Sequence, residues 1–340
     1  MTSLPSSLAG RGRRRYAGLL AAAAALAFGA CGTDDTFAPN DGASSSDAPA
    51  GVDAMSVASP TPAPATIGTS RILFTSYRTG SSDVYTMDAT GANVTRLTTT
   101  PNHDGEPAWS WDHKQVAFIR GRYNGTAYPF DIYVINADGT NGHWARPYAA
   151  SSWSFREPTW SPDGKRIVVR VEMGLSNFLG WIDLASGAVK FFNPSYEGSE
   201  PSFDKTGQHI VYIGKTGKTI EQINADGTGH KTRLSSSDVV MHPSFSPDGT
   251  KILFERILSN FNREIYVKTL ATGTVQRLTY NAGSDGSATW SPDGTRIAFA
   301  TDRDTPTIPK SFQIYTMSPT GTNLYRIKTN SGDWEPAWSH

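Results

Sequence analysis

The chain has 340 residues, enough for one large domain or two ordinary ones. Lys and Arg together number 31, as do Asp and Glu, so no bulk charge draws the protein to nucleic acid. Its 32 Gly, 21 Pro, 9 Trp, 13 Tyr and 15 Phe favour strands and turns, and a single cysteine excludes an intramolecular disulfide.

Residues 1–30 read as a secretory leader: Arg11, Arg13, Arg14 and Arg15, then an apolar run from Ala17 to Ala30. That run is shorter than the ~20 residues a membrane span needs. Cys31 follows Phe28-Gly29-Ala30 directly, which resembles a bacterial lipobox, so cleavage before Cys31 and lipidation of its thiol are expected. The alternative is a soluble secreted protein cleaved nearby. Without the four leader arginines the mature chain is mildly acidic. Gly32 after the cysteine leans toward the outer membrane, and a periplasmic or surface-facing envelope lipoprotein is expected, touching membrane through its anchor only. Residues 31–66 are rich in Asp, Ser, Ala and Pro and cannot bury enough apolar surface to fold. They are expected to form a disordered tether reaching on the order of 30 Å.

From residue 67 onward one motif is written six times: an aromatic residue, Ser, a Pro-Asp-Gly turn, then a short apolar strand. It starts at Trp109, Trp160, Phe203, Phe245 and Trp290, and a truncated copy starts at Trp338, at separations of 42 to 51 residues. Periods near 40–50 with several short strands per unit mark propeller blades. The Glu106-Pro107-Ala108-Trp109 type supplies an inner strand, and the apolar run after the turn a second. The Asp131-Ile132-Tyr133-Val134 type supplies a third, and the Thr95-Arg96-Leu97 type a fourth. Residues 71–97 hold three strands with no inner one before them, and the C-terminal Glu335-Pro336-Ala337-Trp338 is an inner strand with nothing after it. The expected fold is all-β: a six-bladed propeller of four-stranded antiparallel blades over 67–340, closed by pairing of its two ends.

The runs around Glu335-Pro336-Ala337-Trp338, Trp290–Phe299 and Gln313–Asn323 resemble the TolB propeller family. The resemblance covers about 67–340; the α/β domain that precedes the propeller in that family has no counterpart, and the tether stands in its place. It implies a binder of another envelope protein, such as a peptidoglycan-associated lipoprotein, or of a peptide segment; a monomer without enzymatic activity is expected. The binding place would be the channel mouth.

Tight turns fall on one face of such a ring, and the long connections 121–130, 148–156, 257–262 and 301–311 on the other. Variable loops on a rigid scaffold usually carry binding, and aromatic and Arg side chains anchor interfaces. The candidates on this loop face are Arg122, Tyr123, Tyr128, Phe130, Trp153, Phe155, Arg156, Tyr196 and Phe261. The same aromatic residues could instead stack on the sugars of a cell-wall glycan. Three residues before each anchor aromatic stand Glu106, Glu157, Glu200, His242, Ser287 and Glu335, expected to ring the channel. Four converging carboxylates, Glu106, Glu157, Glu200 and Glu335, would suit a calcium ion; the competing arrangement has each bonding a neighbouring blade's backbone.

A propeller lyase would need clustered histidines, and a hydrolase a nucleophile elbow. The seven His residues show no paired metal spacing and no Gly-x-Ser-x-Gly occurs. Gly214-Lys215-Thr216-Gly217-Lys218-Thr219 lacks the first glycine of a phosphate loop and reads as a hairpin.

Overall fold

The computed structural model describes residues 70–122, 129–147, 153–305, 311–327 and 332–339; among these there are 24 strands and no helix. The leader, Cys31, the tether, Tyr123 and Tyr128 lie outside them.

The strands pair antiparallel into six sheets of four. Blade 1 takes its inner strand, Asp333–Trp338, from the far end of the chain and places it against Arg71–Ser76, with Ile72 opposite Trp338 and Ser76 opposite Asp333. The inner strands of blades 2 to 6 are Asp104–Trp109, Ser154–Trp160, Gly198–Phe203, Val239–Phe245 and Asp285–Trp290. Each contacts the next, and Asp333–Trp338 contacts both Asp285–Trp290 and Asp104–Trp109, so the ring is closed. The six-bladed propeller with its three-plus-one seam is as the repeats predict.

Turn chemistry sets the inner hairpins. In blade 3 the Ser161 amide donates to Arg166 O (2.9 Å), Asp163 Oδ1 accepts from the Ser161 hydroxyl (2.6 Å) and the Lys165 amide (3.1 Å), and Gly164 takes φ +66°. Asp therefore fixes the turn while Gly supplies the left-handed step that other residues resist. Inner strands consequently run from the loop end of the ring to the turn end.

The core is divided among the seams. Six buried clusters each join two neighbouring blades, for example Leu253, Ile265 and Val267 of blade 5 with Trp290, Ile297 and Phe299 of blade 6. Both faces of a blade are thus covered, which is why Lys251–Ile257 carries a run of apolar residues instead of alternating with polar ones. The tryptophans also bond across a seam: Trp160 Nε1 donates to Ala108 O (3.2 Å) and Trp111 Nε1 to Trp160 O (3.0 Å).

Charged pairs close the loop end. Asp104 heads the inner strand of blade 2 and is fully buried; Arg120 grips it with two bonds of 2.7 Å and lies over the Tyr133 ring at 4.1 Å. Arg78 with Asp333 and Tyr85, and Arg303 with Asp285 and Tyr315, repeat the arrangement. Burial outweighs the Arg120 bonds and raises the Asp104 carboxyl above the usual carboxylate range.

Candidate functional site

Every inner strand bulges at the same place. Glu106, Glu157, Glu200, His242, Ser287 and Glu335 all have φ between +49° and +55°, and the pairing register slips at each. Six non-glycine residues in the left-handed region are a strained set that the surrounding sheet must hold in place.

At four of these positions the bulge turns the residue's amide toward the preceding blade. The Glu106 amide donates to Glu335 Oε2 (2.9 Å), the Glu157 amide to Glu106 Oε2 (2.7 Å) and the Glu200 amide to Glu157 Oε2 (2.5 Å). The His242 amide donates to Glu200 Oε2 in turn. Four carboxylates thus pass hand to hand around the ring, each accepting a bond from the next blade's backbone. At His242 the rule changes. A different carboxylate, Glu255 from the second strand of blade 5, pairs with the His242 ring (2.9 Å) and accepts from the Ala288 amide of blade 6 (3.3 Å). Gly286 makes room for it, since a Cβ there would sit 2.8 Å from Glu255 Oε2.

Two arginines offset part of this negative charge. Arg156 forks onto Glu106 Oε1 (3.1 and 2.6 Å) and lies over the Phe130 ring at 4.7 Å. Arg170 bridges Glu157 (3.0 Å) and Glu172 (3.1 Å). The Glu157 side chain is 19% exposed. Burial pushes its carboxyl up to about 7; Arg170 opposes this, and the charges of Glu200 and Glu106 add to it. Glu335 is raised by burial and then by Glu106. Burial would lower His242, but Glu255 and Glu200 outweigh it and hold the imidazolium up to about 10. Among the described residues no group of three or more His, Cys, Asp or Glu is arranged to hold a metal.

The predicted loop-face residues divide. Trp153 and Phe261 are exposed, Phe261 at 77%. Arg122 is tied to Asp131 (3.2 Å) and lies over Trp144. Phe130 packs on the core of blades 2 and 3, and Tyr196 stacks on His230 at 4.4 Å. Phe155 is a correction: it is fully buried within the core that joins blades 2 and 3, because the inner strand begins at Ser154 and its alternation turns residue 155 inward.

Sequence reasoning missed two features. Glu255 is a lone acid in an apolar strand, and that isolation was its only signal. The channel also opens as a cavity of about 450 Å³ at the turn end, the opposite end from the loops. Its walls are the small residues before each anchor aromatic, among them Ala108, Thr159, Ser202 and Thr289, with Lys205 at the rim.

The family model described as "TolB beta propeller domain" matches residues 53–239 and 227–340. A Tol-Pal system protein TolB from Alcanivorax borkumensis is 37% identical over 82 residues, 24% of this chain and 19% of that one. Another from Francisella tularensis subsp. mediasiatica is 25% identical over 226 residues, 52% of each. The chain therefore spans about half, or less, of the curated relatives it matches. TolB from Acinetobacter baumannii superposes with TM-score 0.66 at 19% identity, over 79% of this chain and 66% of that one. An oligogalacturonate lyase in complex with manganese superposes with TM-score 0.53 at 16% identity, over 75% and 73%. Such likenesses speak to fold alone. With the family model covering both halves of the ring and the blades closing as described, the chain belongs to the TolB β-propeller domain family.

Proposed function

We propose that this protein is a non-enzymatic, lipid-anchored component of the bacterial cell envelope whose propeller binds a partner protein or peptide segment at the loop-end mouth of its channel. Cys31 is the anchoring residue in this reading, and 31–66 the leash. The curated relatives carry the name Tol-Pal system protein, which favours a protein partner in the envelope.

One observation carries the reading. Tyr77, Trp153 and Tyr280 are exposed aromatic residues at the loop end, where the polar ring of Glu106, Glu157, Glu200, His242 and Glu335 opens. Tyr77 leans on Trp334, Trp153 on Phe191 and Tyr280 on Arg277, so all three are held in place. Rigid aromatic anchors around a charged, hydrogen-bonding centre suit protein recognition.

The test is a photoreactive side chain at residue 153, irradiated in cells. A protein adduct that disappears when Tyr77 and Tyr280 are replaced by alanine supports the reading. Adducts confined to wall glycan would replace it with glycan binding, and unchanged adducts in the alanine variant would refute the mouth as the site.

A further inference from the structure

Away from the channel mouth, the hairpins joining second and third strands form three consecutive tips on blades 3, 4 and 5. The first turns through Met173, Gly174 and Leu175, and Leu175 is fully exposed. The second, between His209–Gly214 and Thr219–Asn224, carries Lys215 and Lys218, both exposed. The third, between Lys251–Ile257 and Arg263–Thr269, puts Phe261 into solvent. Val239, also exposed, lies beside Gly217 at the foot of the middle tip.

These tips are stiff. The Phe261 amide donates to Leu258 O (2.9 Å) and the Gly217 amide to Gly214 O (2.8 Å), while Gly174 and Gly217 take φ of +66° and +69°. A leucine or phenylalanine left largely in solvent at the apex of a turn gains little for the fold. None of residues 173–177, 214–219 or 257–263 is acidic. Carboxylates stand at the feet of the tips, not at their apices: Glu197 meets Lys215 at 2.8 Å while the lysine side chain stays 70% exposed, Glu264 accepts from Asn262 (2.9 Å), and Glu172 and Asp238 adjoin the first and middle hairpins.

Apolar, basic, apolar is the order across the three tips. Rigid apolar apices that flank lysines match the boundary of an anionic bilayer, where acyl chains receive the apices and headgroups pair with the ammonium groups. We infer that the loop-end tips of blades 3 to 5 form a peripheral docking surface for an anionic lipid membrane.

The experiment uses residues 67–340, since all six core clusters and the closing seam lie between Ile72 and Trp338. Co-sedimentation is measured with vesicles of phosphatidylglycerol and phosphatidylethanolamine, against pure phosphatidylcholine, at low and high salt. Binding to the anionic vesicles only, weakened by salt, is expected. Lys215→Glu with Lys218→Glu should lower partitioning on the order of 25-fold or more, from about fivefold per lysine lost. Leu175→Ser with Phe261→Ser should lower it on the order of tenfold. Circular dichroism and melting should be unchanged in both. Absence of binding by the parent above the neutral control overturns the proposal. So does unaltered vesicle binding in the Leu175→Ser, Phe261→Ser variant, and loss of a protein adduct in that variant would then assign the tips to a protein instead.

Discussion

Replacing Glu157 by Gln tests the carboxylate ring directly. An unfolded glutamate titrates near 4.5, whereas Glu157 in the channel is held up to about 7, first by burial and then by Glu200 and Glu106 against Arg170. Below pH 4.5 the group is protonated in both states and adds no pH dependence. As pH rises from 4.5 to 7 the unfolded chain releases the proton and the native protein retains it, so stability is lost through that window and is level above it. The full difference corresponds to about 3 kcal/mol, and solvent screening through the residual exposure reduces this to an expected ~1–2 kcal/mol. Gln keeps an oxygen that can accept from the Glu200 amide and has no proton to release. The assay is urea denaturation of both proteins at pH 4.5 and pH 8, and the quantity is the change in their stability difference. Constant effects of the substitution, such as altered packing, cancel in that comparison. The variant should gain ~1–2 kcal/mol on the parent between the two pH values. A difference that stays constant with pH, or falls, refutes the account of the ring.

Asp104→Asn should destabilise by about 3–5 kcal/mol in denaturant, because it strands the Arg120 guanidinium beneath blade 2. Trp338→Ala, in the closing strand, should cost about 3–5 kcal/mol and lower the midpoint of thermal unfolding. Unchanged melting would mean that the seam of blade 1 does not hold the ring. Gly198→Ala should cost about 1–3 kcal/mol, since its Cβ would stand 2.4 Å from Ile213 O and 2.6 Å from the Tyr212 ring. His242→Gln removes the cation facing the fully buried Glu255 and should lower stability by about 2–4 kcal/mol at pH 7, read in denaturant.

The parts of the fold that follow local rules were legible in the chain. Ser-Pro-Asp-Gly marks its hairpins because Asp and Gly each meet a geometric need, and the unmatched strands at the two ends made the closing seam inevitable. The equivalence of Glu106, Glu157, Glu200, His242, Ser287 and Glu335 was legible as well: each stands three residues before the aromatic, and all six share one bulged conformation. What the residues do there was not. Arg156 meets Glu106 across about fifty residues of chain, and Glu255 substitutes for a missing neighbour only because Gly286 leaves space. Such meetings depend on how two sheets are set side by side. Phe155 was placed in the connection 148–156, whereas the inner strand already begins at Ser154 and its alternation buries residue 155.

Arg71, where the ring begins, has its amide bonded to the Ser339 hydroxyl (2.9 Å), beside the hairpin turns and the mouth of the wide cavity. The first described strand therefore enters the ring at its turn end. Leu175, Phe261, Tyr77 and Tyr280 lie at the loop end, so the chain's entry into blade 1 and the exposed apolar side chains occupy opposite faces of the ring.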